Sequence, residues 1–468
     1  MAPLKFPTAT SPFPQVELTD GDCRLYEQRA AALVANALAE YDEYTELRQR
    51  QVDKKQWRAV KTRENLTVYR ERSSRSTNNS GDGSTSSDNS SATGTPKLAS
   101  TMAATLALGA TKIGGWFTKA DKESGDWSLP TLLAVGSIAG ALDDVMYGIG
   151  TFDSTAMFLK STYTDNQLVD GEVLYSIKTP TPEEPYQFVG LKWIVKGQPT
   201  GMKNVLWPRD VVYLESTGIV TRPNGERIGY QLIHSVNLAE CDELRSRGVL
   251  RATMSSCFLF KQLPKGAVDV YMKAHVEPNG KISNSIALKS TASSLIYCWK
   301  SVSCAQRKKL AWKLQMKERQ QQYPDGTTAT TSTATVPSRR GSQISHCGIC
   351  SKSIGKFRHA VKCELCDAPV CSKCRVHKRL SFKGSWAKHV VRRSALFCTK
   401  CIAHTNQLDA FAVAHDEVIA SRWEEGVVSK EEMNKSEASN HLSSPEHRRS
   451  SERTTAAWHS SDLSPERQ

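Results

Sequence analysis

The stretch CGICSKSIGKFRHAVKCELCDAPVCSKC (Cys347–Cys374), completed by CTKC at Cys398–Cys401, holds eight cysteines in four C-x-x-C pairs. Two residues between thiols is the spacing at which a tight turn brings both sulfurs to about 2.3 Å of one tetrahedral zinc. Eight ligands of one kind, Cys347, Cys350, Cys363, Cys366, Cys371, Cys374, Cys398 and Cys401, make two closed four-sulfur sites for two structural Zn2+ ions. The competing reading is a disulfide scaffold. It requires an oxidising compartment, and Met1–Val16 lacks the apolar run of a secretory leader. Five further cysteines, Cys23, Cys241, Cys257, Cys298 and Cys304, are scattered and read as ordinary thiols of a reducing cytoplasm.

Outward from the cysteines, the charge is uneven. The whole chain of 468 residues carries +14, and Cys347–Cys401 alone has eight Lys and five Arg against Glu364 and Asp367, a net +11. So compact a basic module attracts anionic lipid or nucleic acid. A mean hydropathy of −0.45 suits a globular chain with polar linkers, and no run of eighteen apolar residues offers a transmembrane helix.

N-terminal to the cysteines the pattern is that of an α+β domain. Residues 1–18 are Pro-rich and expected to be disordered. A helix is expected from Asp20 to about Gln51, with Tyr26, Ala30, Leu33, Ala37, Tyr41 and Tyr44 on one face and Thr19, Asp20 and Asp22 as caps. Two strands turning at Arg63-Glu64-Asn65 follow, and then a low-complexity insertion over about 73–124. Next come a strand near 133–138, a helical turn at 142–147 and six strands: Glu172–Lys178, Tyr186–Lys196, Asp210–Val220, Arg227–Asn237, Met254–Lys261 and Val268–Val276. One long helix is expected from Ser283 to about Gln320. Antiparallel strands followed by one long closing helix make an α+β domain whose sheet is expected to curl around that helix.

Trp193-Ile194-Val195, Pro208-Arg209-Asp210-Val211-Val212-Tyr213-Leu214-Glu215, Arg227-Ile228-Gly229-Tyr230 and Ser235-Val236, in this order, resemble START domains, the helix-grip lipid-binding fold. The resemblance covers about 125–320, with 20–72 supplying the first helix and strands, so the domain spans 19–322. It implies an apolar tunnel for one lipid-sized molecule between sheet and terminal helix, with that helix as a lid, and no catalytic set. Arg209, Asp210, Glu215 and Arg227 are the candidates to line the cavity and meet a polar head group or lid, although residues of this kind more often form an ordinary ion pair at a strand end, the favoured reading. His234 and Ser235 are adjacent, hence on opposite strand faces, and no nucleophile elbow is present. The chain is therefore read as a binding protein, not an enzyme.

After a Thr/Ser-rich linker at 323–345, the cysteine spacing over 346–404 is similar to FYVE-type zinc fingers. That resemblance implies a cross-brace: Cys347, Cys350, Cys371 and Cys374 on one zinc, Cys363, Cys366, Cys398 and Cys401 on the other. It also implies membrane and headgroup contacts from Lys352, Lys356, Phe357, Arg358, His359 and Lys362. Three signature sites depart from the family. Val361 and Lys362 stand where its two His belong, Ser338–His346 has no W-x-x-D, and Leu396-Phe397 replaces the residues before the final pair. A short helix is expected near 403–425, and a polar tail follows. Together these readings give a cytoplasmic protein, peripheral on endosome-type or other intracellular membranes. It would hold a lipid in a START-like pocket and dock on an anionic bilayer, with phosphoinositide as a candidate headgroup. The rivals are a RING-like ubiquitin-ligase or protein-interaction finger, and nucleic-acid binding by the basic module.

Overall fold

The structure, a computed structural model, describes residues 4–72, 129–164, 166–197, 206–322, 346–354 and 361–424. The insertion expected at 73–124, the linker 323–345 and the tail beyond 424 lie outside the described residues.

The first helix, α1 (Asp20–Asp42), starts where its caps foretell. Thr19 Oγ1 accepts from the Asp22 amide, and the Asp22 carboxylate accepts from the Thr19 amide at 3.0 Å, a reciprocal capping box. It stops short of Gln51, passing into a wider turn at Glu43–Leu47. There the Tyr44 hydroxyl donates to the Arg50 carbonyl at 2.9 Å, and its ring packs against Tyr271.

Ten strands form one sheet: β1 (Trp57–Arg63), β2 (Leu66–Glu71), β3 (Leu132–Ala139), β4 (Leu168–Lys178), β5 (Phe188–Lys196), β6 (Arg209–Thr221), β7 (Arg227–Ser235), β8 (Leu250–Arg251), β9 (Thr253–Leu263) and β10 (Ala267–Glu277). Their order is β1-β2-β3-β10-β9-β7-β6-β5-β4, antiparallel throughout, with the two-residue β8 lying parallel to β6. Between β3 and β4 run α2 (Leu142–Ile149) and α3 (Ser154–Thr164), the second of which the apolar pattern did not announce.

Alternation along the strands divides two cores. Leu191, Trp193 and Val195 of β5, with Val212 and Leu214 of β6, pack toward α1. Ile194 of β5 and Val211 and Tyr213 of β6 face the other way. The Pro-rich start, expected to be disordered, is ordered from Leu4 on the α1 side. Phe13 and Val16 are buried, and the Phe13 ring meets Trp193 edge-on at 5.3 Å. Two apolar anchors among the prolines suffice to fix the segment.

On the opposite face the long helix is two: α4 (Asn284–Leu295) and α5 (Ser301–Gln322), joined by a 3₁₀ turn at Ile296–Lys300. Five residues at about 120° each instead of about 100° rotate the buried stripe by roughly 100°. The rotation lets α4 cover the sheet while α5 packs on α2. The α2–α5 approach is backbone to backbone, since a Cβ on Gly148 would sit 2.0 Å from the Ser301 carbonyl oxygen.

The cysteine module comprises β11 (Val361–Lys362) paired with β12 (Pro369–Val370), β13 (Arg375–Lys383) paired with β14 (Val390–Cys398), and α6 (Thr399–Asn406). It rests directly on α5: Leu310, Ala311 and Leu314 share a core with Leu380, Ala395 and Phe397. At the tip of its hairpin Lys388 reaches the sheet edge, donating to the buried Asp170 carboxylate at 2.9 Å. That carboxylate also accepts from the amide and hydroxyl of Thr8. The last helix, α7 (Ala410–Glu424), then returns to the large domain. Ala410, Val413, Ala414 and Ala420 join its main core, and the Tyr147 hydroxyl donates to Glu417 at 2.6 Å.

Candidate functional site

Under α4 the sheet leaves a cavity of about 200 Å³. Its walls are largely apolar: Ile194, Val211, Ile233, Met254, Phe258 and Val276 from the strands, Met157 from α3, and Ala287 and Leu295 from α4. These strand residues are all of one parity, because alternate residues of β5, β6, β7 and β9 turn away from α1.

The same parity sorts the four residues expected at a head group. Arg209 and Glu215 line the cavity; Asp210 and Arg227 do not. Asp210 is one residue out of phase with Arg209 and lies fully buried on the α1 face. There it accepts from Trp193 Nε1 at 3.0 Å and pairs with Arg251. Arg227, at the start of β7, is exposed and forms a two-pronged pair with Asp143 at 2.9 and 3.2 Å. Even Arg209 has its guanidinium occupied, donating to the carbonyls of Trp207, Pro278 and Asn279 and so tying the start of β6 to the end of β10.

Glu215 marks a polar floor that the sequence reading missed. Lys192 of β5, 1% exposed at its side chain, pairs with Glu215 and donates to the Thr151 carbonyl. Gln231 of β7 donates to the other Glu215 oxygen at 2.6 Å. Burial pulls the Lys192 ammonium below its ordinary pKa, and Glu215 opposes the shift. Lys160 of α3 stands beside them. Its ammonium donates to the Ile149 carbonyl at 2.7 Å, and burial holds its pKa down to about 8. Ser256 Oγ, also in the wall, is buried without a hydrogen-bond partner. A signal for this floor was present: Lys192 interrupts the apolar run Phe188–Val195, and a cation in a strand buried on both faces needs a buried partner. His234, paired through Nδ1 with Ser255 Oγ at 2.9 Å, is not among the cavity-lining residues.

The eight module thiols gather into two sets, Cys347/Cys350/Cys371/Cys374 and Cys363/Cys366/Cys398/Cys401, the sulfurs of each within 4.8 Å of one another. First pair joins third and second joins fourth, as in a cross-brace. Measured edges are 3.7 Å for Cys350–Cys371 and 3.9 Å for Cys366–Cys398. A tetrahedron with arms of about 2.3 Å has edges of about 3.8 Å, so a zinc ion fits, whereas a disulfide needs about 2.05 Å. Backbone amides already favour thiolates: Cys371 N–H donates to Cys347 Sγ at 3.4 Å, and Cys398 N–H to Cys363 Sγ at 3.2 Å. The Cys371 amide is the main cause that brings the Cys347 thiol down to about 6. No His belongs to either set, in contrast to the mixed ligation of the RING alternative.

Of the expected membrane contacts, Lys352 and Lys362 are exposed, while Lys356, Phe357, Arg358 and His359 lie outside the described residues. Among the described residues no helix is long and apolar enough to cross a membrane.

No family model matches the chain, and no curated protein does. Among solved structures it is similar to human StAR-related lipid transfer protein 5, at 12% identity over 60% of this chain and 97% of that one, with a TM-score of 0.36. Human STARD10 gives 12% identity over 66% and 86%, TM-score 0.31. A STAR-related lipid transfer protein fragment from Xanthomonas axonopodis gives 13% over 53% and 96%, TM-score 0.30.

Proposed function

We propose that the chain binds a hydrophobic ligand in the cavity beneath α4 and carries it to, or senses it at, an anionic intracellular membrane. The observation that carries this reading is the apolar cavity itself, bounded by the sheet on one side and covered by α4, with α3 closing one flank. At about 200 Å³ it is below the ~300–1,000 Å³ of ordinary ligand pockets, so loading requires α4 to move outward as a lid. The 3₁₀ turn at Ile296–Lys300 separates α4 from the firmly packed α5, which makes it the natural hinge.

The cysteine module, in this reading, is a FYVE-like finger holding two Zn2+. Bound zinc would supply no reaction, only crosslinks between the short strands and the start of α6. Its charge, with the residues Lys356, Phe357, Arg358 and His359, suits docking on anionic lipid. Extraction of the purified protein followed by mass spectrometry is the test for the cavity: a stoichiometric lipid is expected, and a ligand-free protein that takes up no acyl or sterol probe refutes the reading. Liposome co-sedimentation with and without phosphoinositide tests the finger. Phe357→Ala should weaken it, and equal retention on nucleic acid with no lipid preference refutes membrane docking.

A further inference from the structure

Beside the cavity, between β1 and the α4 helix, runs a second, open groove of about 500 Å³. Asn166, Gln167, Ser290, Ser294 and Tyr297 line both, so the two adjoin at the edge of α4. The groove's charge is of one sign. Lys61 and Arg63 project from β1, Lys289 comes from α4 and Lys300 from the 3₁₀ turn, and among the described residues no carboxylate lines it. Cations on an edge strand are a common guard against edge-to-edge pairing, and β1 is such an edge. That accounts for two of the four. It does not account for two more facing them across the groove, where like charges repel. The cations are also held in position: Lys61 Nζ donates to Ser293 Oγ at 2.6 Å, and the Arg63 guanidinium lies 4.8 Å over the Trp299 ring, with Lys300 on the same ring at 5.5 Å.

We infer that the ligand is an anionic amphiphile, its chain in the cavity beneath α4 and its acidic head among Lys61, Arg63, Lys289 and Lys300. The inference rests on the lipid-binding reading above and narrows it to a ligand class. An uncharged sterol or diglyceride would leave the repulsion among Lys61, Arg63 and Lys289 unrelieved. A carboxylate or phosphate monoester would relieve it through charge-assisted hydrogen bonds. The Lys192–Glu215 pair at the floor is neutralised internally and asks for no charge from the ligand.

Displacement of a fluorescent acyl probe from the full-length protein tests this with three competitors: a lysophosphatidic acid, the monoacylglycerol of the same chain, and inorganic phosphate. The acidic lipid should compete at least about tenfold more effectively than the monoacylglycerol, and inorganic phosphate should not displace the probe. In K61A/R63A/K289A the two lipids should converge. The monoacylglycerol should still displace the probe, which also reports that the cavity is intact. Equal competition in the wild type, a preference that survives the triple substitution, or displacement by inorganic phosphate alone overturns the inference and leaves the cavity reading standing. Failure of every amphiphile to bind removes both.

Discussion

The buried pair of Lys192 and Glu215 gives the sharpest test of the cavity floor. Glu215→Gln keeps size and the Gln231 contact but leaves an ammonium among Thr151, Phe188 and apolar wall. Lys192→Met leaves the reverse, a lone carboxylate. Breaking one partner of a fully buried pair costs about 3–5 kcal/mol, because desolvation is no longer offset. For a domain of this size that is on the order of 10 °C in Tm. The two defects have opposite signatures in pH. In Glu215→Gln the lysine, already depressed by burial, loses the partner that held its pKa up, so the unfolded chain binds more protons and stability recovers as pH rises. In Lys192→Met the lone carboxyl is easier to bury with a proton on it, so stability recovers as pH falls toward 5. The double variant Lys192→Met/Glu215→Leu should restore most of the loss, since a volume-matched apolar pair needs no desolvation. Urea denaturation between pH 5 and 9 reads all of this. Single variants costing under about 1 kcal/mol, or sharing one pH slope, would show the pair to be hydrated and the floor to be wet.

Four further outcomes are expected. Metal analysis should find two zinc ions per chain, falling to one in Cys363→Ser, with a lower Tm for the whole protein because the module shares a core with α5. Burial, assisted by Arg29, holds His234 down to about 4, below its ordinary 6.5. Its folded form therefore resists protonation, and stability should drop by about 3 kcal/mol between pH 6.5 and 4, a slope that His234→Gln flattens. Gly148→Ala should cost about 1–3 kcal/mol or more by forcing α2 off α5, read by thermal melting. Lys388→Met, which strips the buried Asp170 of its cation, should loosen the hairpin tip from the sheet edge and speed hydrogen exchange at Thr8 and in β4.

Strands and caps were legible because their signals are local. The Thr19/Asp22 box, the turn at Glu64-Asn65 and the turn-bounded strand runs of β5, β6, β7, β9 and β10 each depend on residues within a few positions of one another. The cysteine pairing was legible only through family resemblance, since spacing alone does not say which pairs meet. What could not be read was set by distant partners. Phe13 and Val16 are ordered by Trp193 and its neighbours, far along the chain, and the 3₁₀ break in the long helix answers to α2. The strand pattern also separates Arg209 from Asp210: neighbours on a strand face opposite ways, Glu215 shares Arg209's parity, and Asp210 and Arg227 form the ion pairs that were the other reading of these residues.

The path of α7 changes how the molecule can be divided. The chain leaves the large domain at the end of α5, builds the cysteine module, and comes back to plug the seam beside α2 with Ala410, Val413 and Ala414. A stop codon after Gln322 would thus remove part of the big domain's own interior along with the module. Excising the module alone would demand a bridge from α5 to α7, so separating the two parts calls for an internal deletion rather than a truncation.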